Sequence, residues 1–405
     1  MQKHSTEFIG LDVHKESTAI GRASDGRAVG RFVGTVGPTL AELLKSLKSI
    51  GRPEQLSIVY EAGPCGYGLV RELRSRGYVC EVIAPSKIPR RSGDRVKTDR
   101  RDAVRLAELA RAGELTSVLV PDERDEAIRD LSRAREDAVR ARLAARHQLK
   151  AMLLRHGHRY GRSSWTQAHE RYLAKITFAH AAQDATFAEY RQTVSEANER
   201  VQRLVETLRD QCPAWRMQPV LQALMTLRGI DFVGAVTVVA ELGDLKRFAH
   251  PRELMSFLGL VPSEYTSGDS RHLGKITKTG NGHVRRILIE AAWNYRFAAR
   301  MSVVLQKRQE GQPKAVRDIA WRAQLRLAQR YRRLSARHLH HNKVCVAIAR
   351  ELAGFIWDIG RQVSIHDTPM KMPKTGYGNA KGYHAIAAPA PLGGLFLQHS
   401  KKDPQ

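Results

Sequence analysis

The sequence predicts an α/β domain, then an α-helical coiled-coil arm, then a mainly α-helical C-terminal domain. Three observations carry that reading. Short apolar runs and helical repeats alternate up to about residue 115, strand signals vanish between about residues 122 and 212, and a basic, helix-rich stretch follows Pro213.

Glu7 to Val13 (EFIGLDV) is a short apolar run carrying an acid near its end. Ser17 to Ala23 and Ala28 to Val33 follow with turn residues between them, which reads as a three-strand meander. Thr39 to Ile50 has helical spacing, and Leu56 to Tyr60 (LSIVY) is a buried-strand run. Gly68 to Arg76 is helical, Val79 to Ala84 strand-like, and Asp99 to Ala112 a helix with Thr98 as its N-cap. The order β-β-β-α-β-α-β-α indicates a mixed sheet flanked by helices.

Asp122 to His156 places Ile128, Leu131, Ala134, Ala138, Ala141 and Ala145 at helical intervals. Farther on, Phe187, Tyr190, Val194, Ala197, Val201, Leu204 and Leu208 alternate spacings of three and four, as a coiled-coil seam does. An ordinary core helix gives the same pattern over so short a run. Together the two stretches predict a dimerisation arm. Pro213 ends it, and a compact helical region runs from about Pro219 to Ile365. The final 39 residues contain five Pro and five Gly with little periodicity, so a flexible tail is expected there. The expected units are residues 1–120, 121–215, 216–366 and 367–405.

Composition limits the function. The chain has 405 residues, 42% of them hydrophobic and 27% charged, which excludes wholesale disorder. No apolar run approaches the roughly 18 residues that span a bilayer, and the N-terminus lacks a signal-peptide pattern. The four cysteines are far apart without a CxxC pair, which fits reduced thiols in a cytoplasmic protein. Lys and Arg number 67 against 41 acids, a net +26 that calls for a polyanionic partner, nucleic acid above all. Residues 270–350 hold 19 Lys and Arg but only the acids Glu290, Glu310 and Asp318. Arg285, Arg286, Arg322, Arg326, Arg330, Arg332, Arg333 and Arg337 recur there, and arginine suits bidentate phosphate contact.

Against that basic background stand four acids. Asp12 lies near the end of the first strand, Glu61 ends the fourth, and Asp99 and Asp102 open the third helix on one face. Converging at one sheet edge, they would offer hard oxygen donors for a pair of Mg²⁺ ions about 3.5–4 Å apart, Mn²⁺ being the alternative. Each acid alone also has an ordinary role: a strand turn for Asp12, open surface for Glu61, a helix N-terminus for the other two.

Here the motifs carry a resemblance. GLDVHK with Asp12, YEAGPCGYG with Glu61 and KTDRRDA with Asp99 and Asp102 resemble the acidic motifs of the DEDD transposases of the insertion-sequence-110 family. LRGIDFVGAVTVVAELGD, RFAHPRELMSFLGLVPSEYTSGDSR and GKITKTGNGHVRRILIEAAW are similar to that family's second domain. The resemblance spans about residues 6–115 and 221–300. It implies a RuvC-like, ribonuclease-H-like fold for the N-terminal domain and a recombinase acting on donor and target DNA. It further implies a guide RNA encoded by the element and work at the bacterial nucleoid. Synapsis of two DNA sites would need a homodimer that pairs into a tetramer.

Taken alone, Ser267-Gly268 is a turn. The resemblance makes Ser267 the nucleophile, with Ser263, Thr266 and Ser270 as neighbours of the same chemistry. Lys275, Lys278, Arg285 and Arg286, around Gly280 and Gly282, are expected to contact phosphates, as are Arg322 and Arg326. Leu227 to Ala235 resembles a helix-hairpin-helix turn, but Asp231 stands where a second glycine is usual and would repel phosphate; a plain helix–helix turn is the other reading. His338, His340 and His341 lack companion ligands and read as basic surface. Two further readings remain open: a metal-dependent nuclease of the Holliday-junction-resolvase type, with water as nucleophile, and a non-catalytic nucleic-acid binder.

Overall fold

The computed structural model describes residues 6–89, 98–267 and 270–365; the expected tail, and Gly268 beside Ser267, lie outside them. The N-terminal part runs β1 (Glu7–Val13), β2 (Thr18–Ser24), β3 (Arg31–Val36), α1 (Leu40–Ile50), β4 (Leu56–Glu61), α2 (Gly68–Ser75), β5 (Val79–Ile83) and α3 (Asp99–Arg111). Every strand and helix expected here forms, the third strand three residues later than expected, at Arg31–Val36 rather than Ala28–Val33. The sheet order is β3-β2-β1-β4-β5, antiparallel across β3, β2 and β1 and parallel across β1, β4 and β5.

Alternation along the strands sends side chains to opposite faces. Ile9, Leu11, Ile58 and Tyr60 pack with Leu43 and Leu47 of α1 and Val70 and Leu73 of α2. The other face meets α3, through Val59, Ile83 and Leu106. There the approach is too close for side chains. A Cβ on Gly10 would sit 2.2 Å from the Ala103 carbonyl oxygen, and one on Gly21 would sit 2.4 Å from the backbone of Ala103 and Val104. Glycine at those two positions lets α3 lie directly on β1 and β2.

The middle of the chain is α4 (Glu123–Arg155), α5 (Gln167–Leu173) and α6 (Ala181–Gln211). At 1.5 Å per residue α4 is roughly 50 Å long. It packs antiparallel along α6: Leu149, Met152 and Leu153 cluster with Phe187 and Val194, while Ile128 and Leu208 join the C-terminal core. The heptad pattern is therefore filled within one chain. Phe187, Val194, Val201 and Leu208 are buried, Tyr190, Ala197 and Leu204 half-buried, and Ala141 exposed. The seam by itself calls for no second copy.

The C-terminal part continues with α7 (Gln218–Leu224), α8 (Phe232–Leu242), α9 (Pro251–Phe257), β6 (Pro262–Ser267), β7 (Ser270–Ile276), α10 (Gly282–Ala292), α11 (Val303–Gln309), α12 (Lys314–Ser335) and α13 (His341–Gln362). One large core holds its helices together, with α13 against α7, α9, α10 and α12. The polar stretch around Ser267, read from sequence as a loop, is instead an antiparallel hairpin of β6 and β7. The Leu227–Ala235 turn packs on α10: Gly229 (φ 85°) leaves no room for a Cβ before the Ala291 carbonyl, and Asp231 caps α8 by accepting from Gly234 N–H at 2.8 Å. All four cysteines are free thiols. No helix among the described residues is long and apolar enough to cross a membrane.

Overpacking a close helix–sheet contact costs about 1–3 kcal/mol. Gly10→Ala is expected to lower stability by about that much in urea titration, whereas Gly161→Ala, whose Cβ would meet open space, should stay within about 0.5 kcal/mol.

Candidate active site

The acidic site is built from the end of β1 and the start of α3. Gly10 and Asp12 project from the same face of β1, so the helix that needs Gly10 also covers the side of the sheet that carries Asp12. Thr98 caps α3, its hydroxyl accepting from Arg101 N–H at 3.3 Å. Asp99 and Asp102 then occupy the first turn, where the helix dipole favours negative charge. After β1 the chain turns, His14 N–H donating to the Ser17 carbonyl at 2.9 Å, and the His14 ring swings back over the site.

His14 Nε2 lies 3.3 Å from Asp12 Oδ2 and 3.6 Å from Asp99 Oδ1. One ligand atom from each of Asp12, His14 and Asp99 falls within 4.8 Å of the others. Burial pushes the Asp12 carboxyl pKa up, and the negative charges of Asp99 and Asp102 push the same way against the lowering effect of His14. Asp102 is thus close enough to be felt. Glu61 is exposed and ends β4; it lies one residue beyond the Leu11–Tyr60 pair, as Asp12 does, so the two acids stand side by side along the same edge. The structure brings Asp12, Asp99 and Asp102 together, keeps Glu61 at the neighbouring strand end, and adds His14. The sequence signal for His14 was its place two residues beyond Asp12 in GLDVHK.

Ser267 is exposed at the tip of the β6–β7 hairpin, paired with Ser270. Three hydroxyls near it are tied down: Ser263 to the Lys275 carbonyl at 3.1 Å, Thr266 to Glu264 at 3.0 Å and Ser270 to His272 at 2.9 Å. The Ser267 hydroxyl makes no hydrogen bond to another described residue. Among the described residues, no element pair in extensive contact joins this hairpin to β1, β4 or α3.

The basic residues divide by what they touch. Lys275 is exposed on β7, and Lys278 takes left-handed backbone (φ 55°) in the turn towards α10. Arg285 donates to the Leu258 and Thr279 carbonyls at 2.9 Å each, which fastens that turn to the end of α9. Arg286 pairs with Glu136 and Glu290, Arg322 with Asp358 and Arg326 with Glu351. Arg286 belongs to a larger joint between α4, α8 and α10. Arg133 grips buried Glu241 with two bonds of 2.6 and 2.9 Å, and Asn281 donates to the same carboxylate at 2.7 Å. Burial would raise the Glu241 pKa, but these donors hold it below the ordinary value.

Comparison with known proteins points to one family. Residues 221–306 match the family described as transposase IS116/IS110/IS902, and residues 9–157 match the transposase family of the IS110 DEDD type. The chain is 46% identical to the putative transposase y4qE of Sinorhizobium fredii, over 88% of each chain. It is 30% identical to the transposase for insertion sequence element IS1533 of Leptospira borgpetersenii, covering 81% of this chain and 96% of that one.

The crowded carboxylates give a test by sign. A raised Asp12 pKa favours the folded protein at acid pH, and that contribution is lost as the pH rises through the raised value. At neutral pH without added metal, Asp12→Asn should therefore melt no lower than the parent. Millimolar Mn²⁺ or Mg²⁺ should raise the parent's Tm and leave that of the variant unchanged, as read by scanning calorimetry.

Proposed function

The chain belongs to the IS116/IS110/IS902 family of DEDD transposases, and on that footing we propose that it cuts and rejoins DNA through Ser267 with divalent metal on Asp12, Glu61, Asp99 and Asp102. The observation that carries the metal site is the grouping of Asp12, His14 and Asp99 around one point. Burial raises the Asp12 pKa and the nearby carboxylates of Asp99 and Asp102 push the same way, a repulsion that a cation would relieve, so the residues fit the ion. Their oxygens suit Mg²⁺, and the imidazole of His14 widens the choice to Mn²⁺. The sheet order, with its central β1 and β4 carrying Asp12 and Glu61, supports the ribonuclease-H-like, RuvC-like reading of residues 1–120.

When bound, the metal would supply charge to polarise the phosphate and stabilise the oxygens that attack and leave. Ser267 contributes the nucleophile. Its oxygen attacks phosphorus, the bond to the 3′ oxygen breaks, and a phosphoserine link and a free 3′-hydroxyl result. The exchange conserves one phosphodiester, so a second 3′-hydroxyl reverses it and reseals the strands without ATP. The exposed hydroxyl of Ser267, untied among its bonded neighbours, supports this assignment over Ser263, Thr266 or Ser270.

Residues 121–215 act as a rigid arm in this reading, and residues 216–366 carry the serine and the basic surface. Lys275 and Lys278 flank the serine hairpin as phosphate contacts. Arg285, Arg286, Arg322 and Arg326 serve the fold at least as much, given their partners. Two DNA sites need two catalytic units, so a homodimer pairing into a tetramer is the working assembly. Guidance by an RNA from the same element follows from the family resemblance, and the net +26 supports carrying RNA and DNA together. Such work places the protein at the nucleoid of a bacterial cytoplasm.

A nicked suicide substrate tests the chemistry. The parent should trap a covalent protein–DNA adduct on a denaturing gel, and Ser267→Ala should lose it while still binding DNA. Asp12→Asn should lower cleavage by at least about 100-fold. Undiminished cleavage by Ser267→Ala, with no adduct in the parent, would make water the nucleophile and the protein a nuclease of the resolvase type.

A further inference from the structure

Away from the acidic cluster a cleft of about 510 Å³ opens between α9, the foot of the β6–β7 hairpin, and the facing sides of α12 and α13. That volume falls within the roughly 300–1,000 Å³ of sites that take small organic groups. The floor is apolar, formed by Met255, Leu260, Pro262, Ile276, Val346 and Ala347. The rim is cationic: Arg252, Arg326, Arg330, Lys343 and Arg350, with His250 beside them and Glu351 the one acid of the lining. Glu351 is already occupied, paired with Arg326 at 2.8 Å and with Arg330. The side chains of Arg252, Lys343 and Arg350 make no hydrogen bond or ion pair with another described residue. Three uncompensated cations over an apolar floor want an occupant with anionic oxygens on one side and a flat, weakly polar body on the other.

We propose that this cleft binds an unpaired nucleotide, with its phosphate on Arg252, Lys343 and Arg350 and its base against Met255, Pro262 and Val346. In a duplex both faces of a base are covered by its neighbours, so only an unpaired segment can lay a base on the floor. Arg326 and Arg330 neutralise Glu351 and so remove the one acid that would repel the phosphate. The placement has a consequence for the hairpin. Pro262 and Ile276 are the pair at its foot, and Ser267 ends the same strand. Five residues at about 3.3 Å each put Ser267 roughly 17 Å away. A strand seated in the cleft is therefore anchored roughly 17 Å from the serine, on the same hairpin, without entering its chemistry. The site rests on the reading that the protein handles nucleic acid, and on neither Ser267 nor the metal.

Binding, measured without cleavage, tests it. In the Ser267→Ala protein, fluorescence anisotropy would follow labelled oligothymidine, oligouridine and a DNA duplex of equal length. R252A/R350A should weaken single-strand binding at least about tenfold and leave duplex binding within about twofold. Its dependence of log K on log salt should flatten by about 0.7 for each single-strand phosphate that the variant no longer neutralises. Val346→Trp, which fills the floor and leaves the charge alone, should weaken single strands with an unchanged salt slope. Weakening confined to oligothymidine would assign the occupant to DNA, and weakening confined to oligouridine would assign it to RNA; either supports the site. Equal weakening on duplex and single strands, or unchanged single-strand affinity in an R252A/R350A protein with parental circular dichroism, would overturn it. Failure of the transposition chemistry would leave these binding results untouched.

Discussion

The contact on which the site depends is that of α3 with the bare backbone of β1 and β2. Gly10 and Gly21 let the helix approach until a single Cβ would strike backbone atoms at 2.2 and 2.4 Å. That approach brings the first turn of α3, with Asp99 and Asp102, over the end of β1, where Asp12 and His14 wait. The acidic cluster that results is unfavourable on its own: burial first, and then the negative charges of Asp99 and Asp102, raise the Asp12 pKa. Helix–sheet packing and the Thr98 cap hold it in place, and a cation would turn it to use.

A second rigid element joins this sheet to the rest. α4 touches the N-terminal part through Arg71, which pairs with Glu126, and through Arg129 over the Tyr67 ring at 5.4 Å. It meets the C-terminal helices through Arg133–Glu241, Glu136–His283 and buried Asp125, which accepts from Trp215 Nε1 at 2.7 Å. Removing one partner of such a buried pair strands the other charge. Many of the basic side chains pair in this way with acids within the chain. Arg252, Lys343 and Arg350, at the rim of the cleft under the serine hairpin, make no such pair with a described residue.

Most elements of the N-terminal domain could be read from apolar runs and turn residues, and Thr98 was recognisable as a cap. Asp12, Asp99 and Asp102 could be placed because strand ends and a helix start fix their positions. His14 was harder, since only the turn after β1 carries its ring back to Asp12 and Asp99. The β6–β7 hairpin left no trace of alternation because PSEYTS is largely exposed and rewards no apolar face. Heptad spacing in α6 was legible, but periodicity cannot say which helix fills the seam, and α4 of the same chain does. Arg322 and Arg326 looked free because their partners Asp358 and Glu351 lie beyond the basic stretch in sequence; Arg286 has Glu290 one turn on, but its second partner, Glu136, comes from distant α4.

In the proposed mechanism the end of β1 and the start of α3 form one divalent-cation site that serves DNA cleavage. Anomalous diffraction from crystals soaked in Mn²⁺ tests it most directly. A peak within bonding distance of Asp12 and Asp99 carboxylates, absent in crystals of the Asp12→Asn protein, is the predicted result. Mn²⁺ bound elsewhere with this edge empty, in crystals where the parent and variant look alike, would contradict it.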